Sequence, residues 1–206
     1  MTGILIADRQ EFFRLGLTQI LERRPGWSVI AQADSGRTAI ELALTRCPDA
    51  AFIDLALTDP NGSKVLQTIH TALPATQLIA VSAYVTPTVL KLVQSSGAKA
   101  FVAPDQPAAH FVEALNRSLA GHSFFAGSFL PSTEHETDSV PVQYVLSERQ
   151  LQVLGLIATG RSTREIAAAM GLSTRTAESH IARIMNRLRI HSRVDLIRLA
   201  IRDKVV

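Results

Sequence analysis

Cysteine is almost absent. Cys47 is the only one among 206 residues, so no internal disulfide and no multi-cysteine metal site can form. Long apolar runs are missing too. None approaches the roughly 18–20 residues that a membrane-spanning helix needs. A basic leader is also lacking. Met1-Thr2-Gly3-Ile4-Leu5-Ile6-Ala7-Asp8 meets a charge at once and reads as a buried strand rather than a signal peptide. Internal repeats and low-complexity tracts are not found. These absences predict a cytoplasmic protein with reduced thiols. What remains is 47% apolar and 19% charged, enough to bury a core and to exclude wholesale disorder.

The net charge of +3 hides an asymmetry. Residues 1–144 carry 10 Lys/Arg against 13 Asp/Glu, a balance of −3, whereas residues 145–206 carry 11 against 5, a balance of +6. A basic module after a mildly acidic one fits nucleic-acid contact by the C-terminal part. An Arg-rich solvated helical face would give the same count.

Through the first ~120 residues short apolar runs alternate with helical patterns. Strands are predicted at Ile4–Ala7, Trp27–Ala31, Ala50–Ile53, Leu78–Val81 and Ala100–Val102. Helices are predicted at Glu11–Arg24, Ser35–Arg46, Ser63–Ala72, Thr86–Ser95 and Pro107–Leu119. Ser35 is a plausible N-cap, and Pro25-Gly26 and Pro60-Asn61-Gly62 supply turn chemistry. Five continuous apolar strands, each followed by a helix, imply an α/β fold with a parallel sheet covered on both faces. Ligands and chemistry gather at the carboxyl ends of such strands. Those ends are Asp8, Asp54 and Ser82, with Pro104 after the fifth strand.

The expected domains are 1–125, a linker at 126–144, and 145–206. The linker stretch Pro131–Ser139 has almost nothing to bury. Beyond Leu146 four helices are predicted, the first capped by Ser147 with Gln150 three residues on. The second begins at Ser162-Thr163-Arg164-Glu165. The third runs from Thr174 to Leu188 and the fourth from Ser192 to Arg202. A short helix, the Gly171-Leu172-Ser173 turn and a longer helix make a helix-turn-helix, whose second helix can enter a major groove. Ala177, Ile181, Ile184 and Leu188 form its packing stripe. Arg175, Ser179, Ala182, Arg183 and Asn186 fall opposite, on a small, polar and basic face that DNA can approach.

The run Leu146-Ser147-Glu148-Arg149-Gln150…Gly160-Arg161-Ser162-Thr163-Arg164-Glu165-Ile166-Ala167…Leu172-Ser173-Thr174-Arg175-Thr176-Ala177-Glu178-Ser179-His180-Ile181…Ile184-Met185-Asn186-Arg187-Leu188 resembles the LuxR/FixJ/NarL helix-turn-helix over about 60 residues. The resemblance implies double-stranded DNA as partner. It places Arg175, Thr176, His180 and Arg187 where relatives touch phosphates, and Ser162 and Thr163 where a helix start reaches phosphate. Glu178, Ser179 and Ala182 fall where relatives read base edges. Relatives often carry Lys or Val there, so the operator cannot be copied from them. Glu178 admits two readings: an ion pair with Arg175, or a base contact. His180 is either a backbone donor to DNA or a structural histidine. Val194, Ile197 and Ile201 form a stripe on the last helix. The resemblance implies a homodimer through it, though the stripe could also pack on its own core.

Residues 3–120 resemble a response-regulator receiver domain, a flavodoxin-like fold. The resemblance rests on Ile4–Asp8, Phe13-Arg14-Leu15-Gly16-Leu17, Pro48–Leu55, Val81-Ser82-Ala83 and Gly97–Phe101. It implies that Asp54 is the phosphoacceptor position, that Asp8 belongs to the acidic pocket, and that Ser82 and Phe101 respond as switch residues. Nucleophilic attack by a carboxylate, with Mg²⁺ clamping the phosphoryl oxygens, is the chemistry implied. Two parts depart from that pattern. Arg9 replaces the second acid, and Pro104 stands where a Lys belongs. Lys99 lies five residues earlier, at the far end of its strand. Arg9 either folds toward Asp54 or Asp8 through a bidentate pair and supplies the missing cation, or points to solvent.

Three functions follow. One is a sequence-specific transcription regulator with an atypical receiver, not switched by ordinary aspartyl phosphorylation and used for dimerisation or a protein partner. The second is a conventional phospho-switched regulator using Asp54, with Mg²⁺ as cofactor only in that case. The third is a protein-interaction adaptor without DNA reading. An enzyme is not expected. The sheet end offers two carboxylates but no His and no Gly-rich phosphate loop, and no resident metal site is expected.

Overall fold

The computed structural model describes residues 1–125, 141–142, 146–188, 190–203 and 205. The chain divides into two compact units, Met1–Glu136 and Thr137–Val206. Most of the expected linker, 126–144, lies outside the described residues. No helix among the described residues is long and apolar enough to cross a membrane.

The first unit is a parallel sheet with helices between its strands. Its strands are β1 (Thr2–Ala7), β2 (Trp27–Ala33), β3 (Ala50–Asp54), β4 (Gln77–Val81), β5 (Ala100–Val102) and β6 (Phe124–Phe125). They lie side by side in the order β2-β1-β3-β4-β5-β6, and every neighbouring pair is parallel. β3 and β5 are buried throughout, as strands covered on both faces must be. β2, at the edge, is mostly half-buried.

The helices are α1 (Glu11–Glu22), α2 (Gly36–Arg46), α3 (Gly62–Ala72), α4 (Pro87–Ser95) and α5 (Ala108–Leu119). Short polar side chains start three of them. The Ser35 hydroxyl accepts from the Thr38 N–H, the Asn61 side-chain carbonyl from Lys64, and the Thr86 hydroxyl from Val89. Each satisfies an otherwise orphaned helix donor. Between sheet and helices sits a core of Ile4, Ile6, Phe52, Ile79, Phe111 and Leu115. The Phe111 ring meets Phe13 edge-on at 5.8 Å and Phe52 at 6.3 Å.

The sequence predicts five strands and the described residues hold six. Phe124–Phe125 pairs with β5 at Ala100 and Phe101. Two residues are too few for any periodicity to register. The sheet edge left open by β5, not a local pattern, makes this strand.

The second unit holds α6 (Glu148–Ala158), α7 (Thr163–Met170), α8 (Thr174–Leu188) and α9 (Arg193–Arg202). Capping boxes open α6 at Ser147/Gln150 and α7 at Ser162/Glu165, with both reciprocal bonds made. Its core contains Leu154, Ile157, Ile166, Ala177, Ile184 and Leu196. That core begins ahead of residue 145. Val142 is 1% exposed within it, and its N–H donates to Asp203 Oδ2 at 2.7 Å.

One glycine marks a close approach that fixes the sheet's carboxyl end. A Cβ at Gly62 would overlap the Asp54 carbonyl oxygen, so the start of α3 rests directly on the end of β3. Gly16 is the opposite case, exposed on α1 with nothing within 4 Å of an added Cβ. Gly62→Ala is expected to destabilise the first unit by about 1–3 kcal/mol through overpacking. Gly16→Ala should stabilise it by about 0.5–1 kcal/mol, since a mid-helix glycine loses chain entropy without return. Urea unfolding followed by fluorescence of Trp27, the single tryptophan, reads both.

Candidate phosphoacceptor pocket and nucleic-acid interface

β1 and β3 are adjacent and in register at Ala7↔Ile53. The next residues are Asp8 and Asp54, so the sheet brings the two acids together. They are 2% and 8% exposed. Asp8 Oδ1 accepts from the Gln10 N–H at 2.7 Å, and Asp54 Oδ1 from the Ala56 N–H at 2.8 Å. Burial pushes the Asp54 carboxyl up to about 7. The Ala56 hydrogen bond opposes this, the Asp8 charge adds to it, and the Arg9 charge opposes it weakly. Burial also raises Asp8, against the Gln10 hydrogen bond and the charges of Arg14 and Arg9.

Arg9 does not make the bidentate pair. Its side chain is exposed, and the ion pairs among the described residues are Arg161–Glu165, Arg198–Asp195 and Arg202–Asp203. Arg9 follows the last buried strand residues, where the chain turns outward toward α1, so full hydration competes with pairing. Sequence reasoning missed Arg14 instead. One helical turn into α1, its Nη1 donates to the Asp8 main-chain oxygen at 2.8 Å. The signal was its spacing, six residues after Asp8, where the first turn of a helix returns over the strand end.

Ser82, wholly buried, is occupied locally, accepting from the Tyr84 N–H at 3.1 Å. Phe101 is fully buried on β5 opposite Ala80. Pro104 follows the end of β5 and is partly exposed. The register Asp54↔Val81↔Val102 puts Lys99 three residues back from the acceptor's level, roughly 10 Å along the strands. It is exposed there and cannot stand in for a cation at the pocket.

In the second unit, α8 turns Ala177 and Ile184 into the core. Arg175, Thr176, Glu178, Ser179, Ala182, Arg183 and Arg187 are exposed, and His180 is half-buried. The Ser173 hydroxyl caps this helix through the Thr176 N–H at 3.1 Å. Ser162 is committed elsewhere. Its N–H and hydroxyl both donate to Glu165 Oε2, at 2.8 and 2.7 Å, and these bonds hold the Glu165 carboxyl below its usual range. A phosphate at this helix start would have to displace that carboxylate from Ser162. Thr163 beside it is half-buried. The α9 stripe divides. Ile197 packs against the domain's own core, while Val194 and Ile201 are 55% and 60% exposed.

The pocket predicts a pH dependence. Asp54 holds its proton up to about pH 7 when folded and up to about pH 4 when unfolded. The stability this contributes is full below about pH 4 and is lost as the pH rises to about 7. Asp54→Asn removes the buried charge and should be more stable than the parent at pH 8 by a few kcal/mol, each tenfold change in proton affinity being worth about 1.4 kcal/mol. The difference should vanish near pH 4. Equal parent and variant stability at both pH values contradicts a buried, uncompensated carboxylate.

Two family models match the chain. The response regulator receiver domain matches residues 4–116, and the bacterial regulatory proteins of the luxR family match residues 144–200. The chain is 26% identical over 210 residues to the transcriptional regulatory protein LiaR of Bacillus subtilis, covering all of both chains. It is 24% identical over 204 residues to the response regulator protein VraR of Staphylococcus saprophyticus, covering 98% of each. A LuxR-family two-component response regulator from Aurantimonas superposes with TM-score 0.58 at 26% identity, over 60% of this chain and 89% of that one. RcsB of Salmonella typhimurium shares the fold at TM-score 0.57 and 19% identity over 96% of each chain. Receiver model, LuxR model and full-length relatives agree: the chain belongs to the LuxR family of bacterial response regulators.

Proposed function

We propose that this regulator binds double-stranded DNA sequence-specifically, as a homodimer, and that its receiver is not switched by ordinary aspartyl phosphorylation. The receiver spans 1–125 and the DNA-binding unit 145–206 with Val142 in its core. The observation that carries the receiver half is the pairing of Asp8 and Asp54, buried together with no ion pair to either among the described residues. Phosphoryl transfer to Asp54 would add charge to a place that already raises both carboxyls, with Pro104 where a Lys would neutralise it. These residues do not fit Mg²⁺ well. Among the described residues no three His, Cys, Asp or Glu side chains gather to hold a metal ion, and the charges of Arg9 and Arg14 already act on Asp8 and would repel a divalent ion.

The DNA-binding half rests on the exposed face of α8. Arg175, Arg183 and Arg187 supply phosphate contacts with Thr176, His180 and Thr163, while Glu178, Ser179 and Ala182 face base edges. Exposed Val194 and Ile201 supply the contact between two copies. Phe12, 91% exposed, and Leu15, 49% exposed, give the receiver an apolar surface for a protein partner.

Incubation with acetyl phosphate and Mg²⁺, read by intact-protein mass, is expected to give no phosphoryl-sized gain while a conventional receiver labels alongside. A gain that Asp54→Ala abolishes restores the phospho-switch. For DNA, log Kd against log salt should be steep, and Arg175→Ala should weaken all duplexes alike and flatten the slope by about one unit. The same titration should saturate at two chains per duplex. A flat salt response, or no duplex binding, leaves the adaptor reading standing.

A further inference from the structure

The exposed face of α8 carries one acid. Glu178 stands among Arg175, Arg183 and Arg187, yet it belongs to none of the ion pairs among the described residues. Arg175, three residues earlier, has the spacing to pair with it on the helix surface and does not. A surface ion pair therefore does not explain this carboxylate. A solvated acid on a helix that meets phosphates weakens binding to every sequence, unless a base returns the interaction.

The choice of base follows from donor chemistry. In the major groove guanine shows N7 and O6 and thymine shows O4, all acceptors that repel a carboxylate. Two bases show a donor. Adenine sets its N6 amino group beside the N7 acceptor, a pair that matches an amide rather than a carboxylate. Cytosine shows the N4 amino group alone. We infer that Glu178 is a specificity-determining residue that selects a C·G base pair, its carboxylate accepting from cytosine N4. It acts by attraction to that amino group and by rejection of the guanine and thymine oxygens. Ala182 lies one turn on, about 6 Å along the helix, and its short side chain leaves the approach to the base clear.

This inference rests on the DNA-binding reading above. The full chain, Glu178→Gln and Glu178→Ala are each taken through selection from a randomised duplex library, with thermal melting to show equal folding. The parent should enrich a motif with one position per half-site held as C·G. Glu178→Gln should move that position to A·T, because an amide matches adenine N6 and N7. Glu178→Ala should leave it open, with the other positions unchanged. Against a duplex changed at that position, the parent should discriminate by about five- to a hundredfold, and the alanine variant by about onefold. The same motif from all three proteins overturns the role of Glu178 while leaving DNA reading intact. No motif from the parent overturns the DNA-binding reading itself.

Discussion

Parallel pairing of β1 with β3 is the constraint on which the receiver depends. The pairing puts neighbouring strand ends side by side, so Asp8 and Asp54 emerge at one level at the carboxyl end of the sheet. The rest of the pocket is arranged around that meeting. Main-chain N–H groups of Gln10 and Ala56 turn in to serve the two carboxylates. The start of α3 closes over Asp54 because Gly62 has no side chain to hold it away. Arg14 reaches back from α1 to the Asp8 carbonyl. Two buried acids side by side need a cation or a proton, and the nearby guanidinium groups supply partial relief in place of a matched partner. Burial does most to raise the Asp54 carboxyl to about 7, and the Asp8 charge beside it adds to the rise, so a proton serves where a matched cation is missing.

The helical unit depends on a different constraint. The short helices α6 to α9 around one small core cannot be held by length, since isolated helices of such size are marginal in water. Their ends are fixed instead. Capping boxes open α6 and α7, Arg149 donates to the Met170 carbonyl at the end of α7, and Arg193 donates to the Arg161 carbonyl. With the ends fixed, α8 can devote one side to the core and leave the other to solvent and charge. The local consequence is that capping residues are used up, and Ser162 holds its own helix before it can hold anything else.

Much of this was legible in the chain itself. Continuous apolar runs such as Ile4–Ala7 and Ala50–Ile53 announce buried parallel strands, because a strand covered on both faces needs four to five apolar residues without a polar break. Ser35, Ser147 and Ser162 announce helix starts, because a cap is a local interaction between residues three apart. The acids at strand ends are plain from order alone, and the resemblance to receiver domains marks Arg9 and Pro104 as departures at that end. So is the basic, small-residue side of the helix from Thr174 to Leu188, which repeats with helical period.

Tertiary structure decided what depends on residues far apart in the chain. The two-residue β6 exists because β5 leaves an edge to pair with, and nothing in Phe124-Phe125 encodes a partner. Arg9 stays exposed where hydration competes with a buried pair, and Arg14 reaches the Asp8 carbonyl because α1 folds back over the end of β1. Val142 became part of the helical core through Asp203, sixty-one residues away. Local propensity and periodicity fix which segments are helix or strand. Which side chains end up sharing a charge, a hydrogen bond or a cavity depends on packing between segments, and that free energy exists only once the segments of each unit have closed on one another.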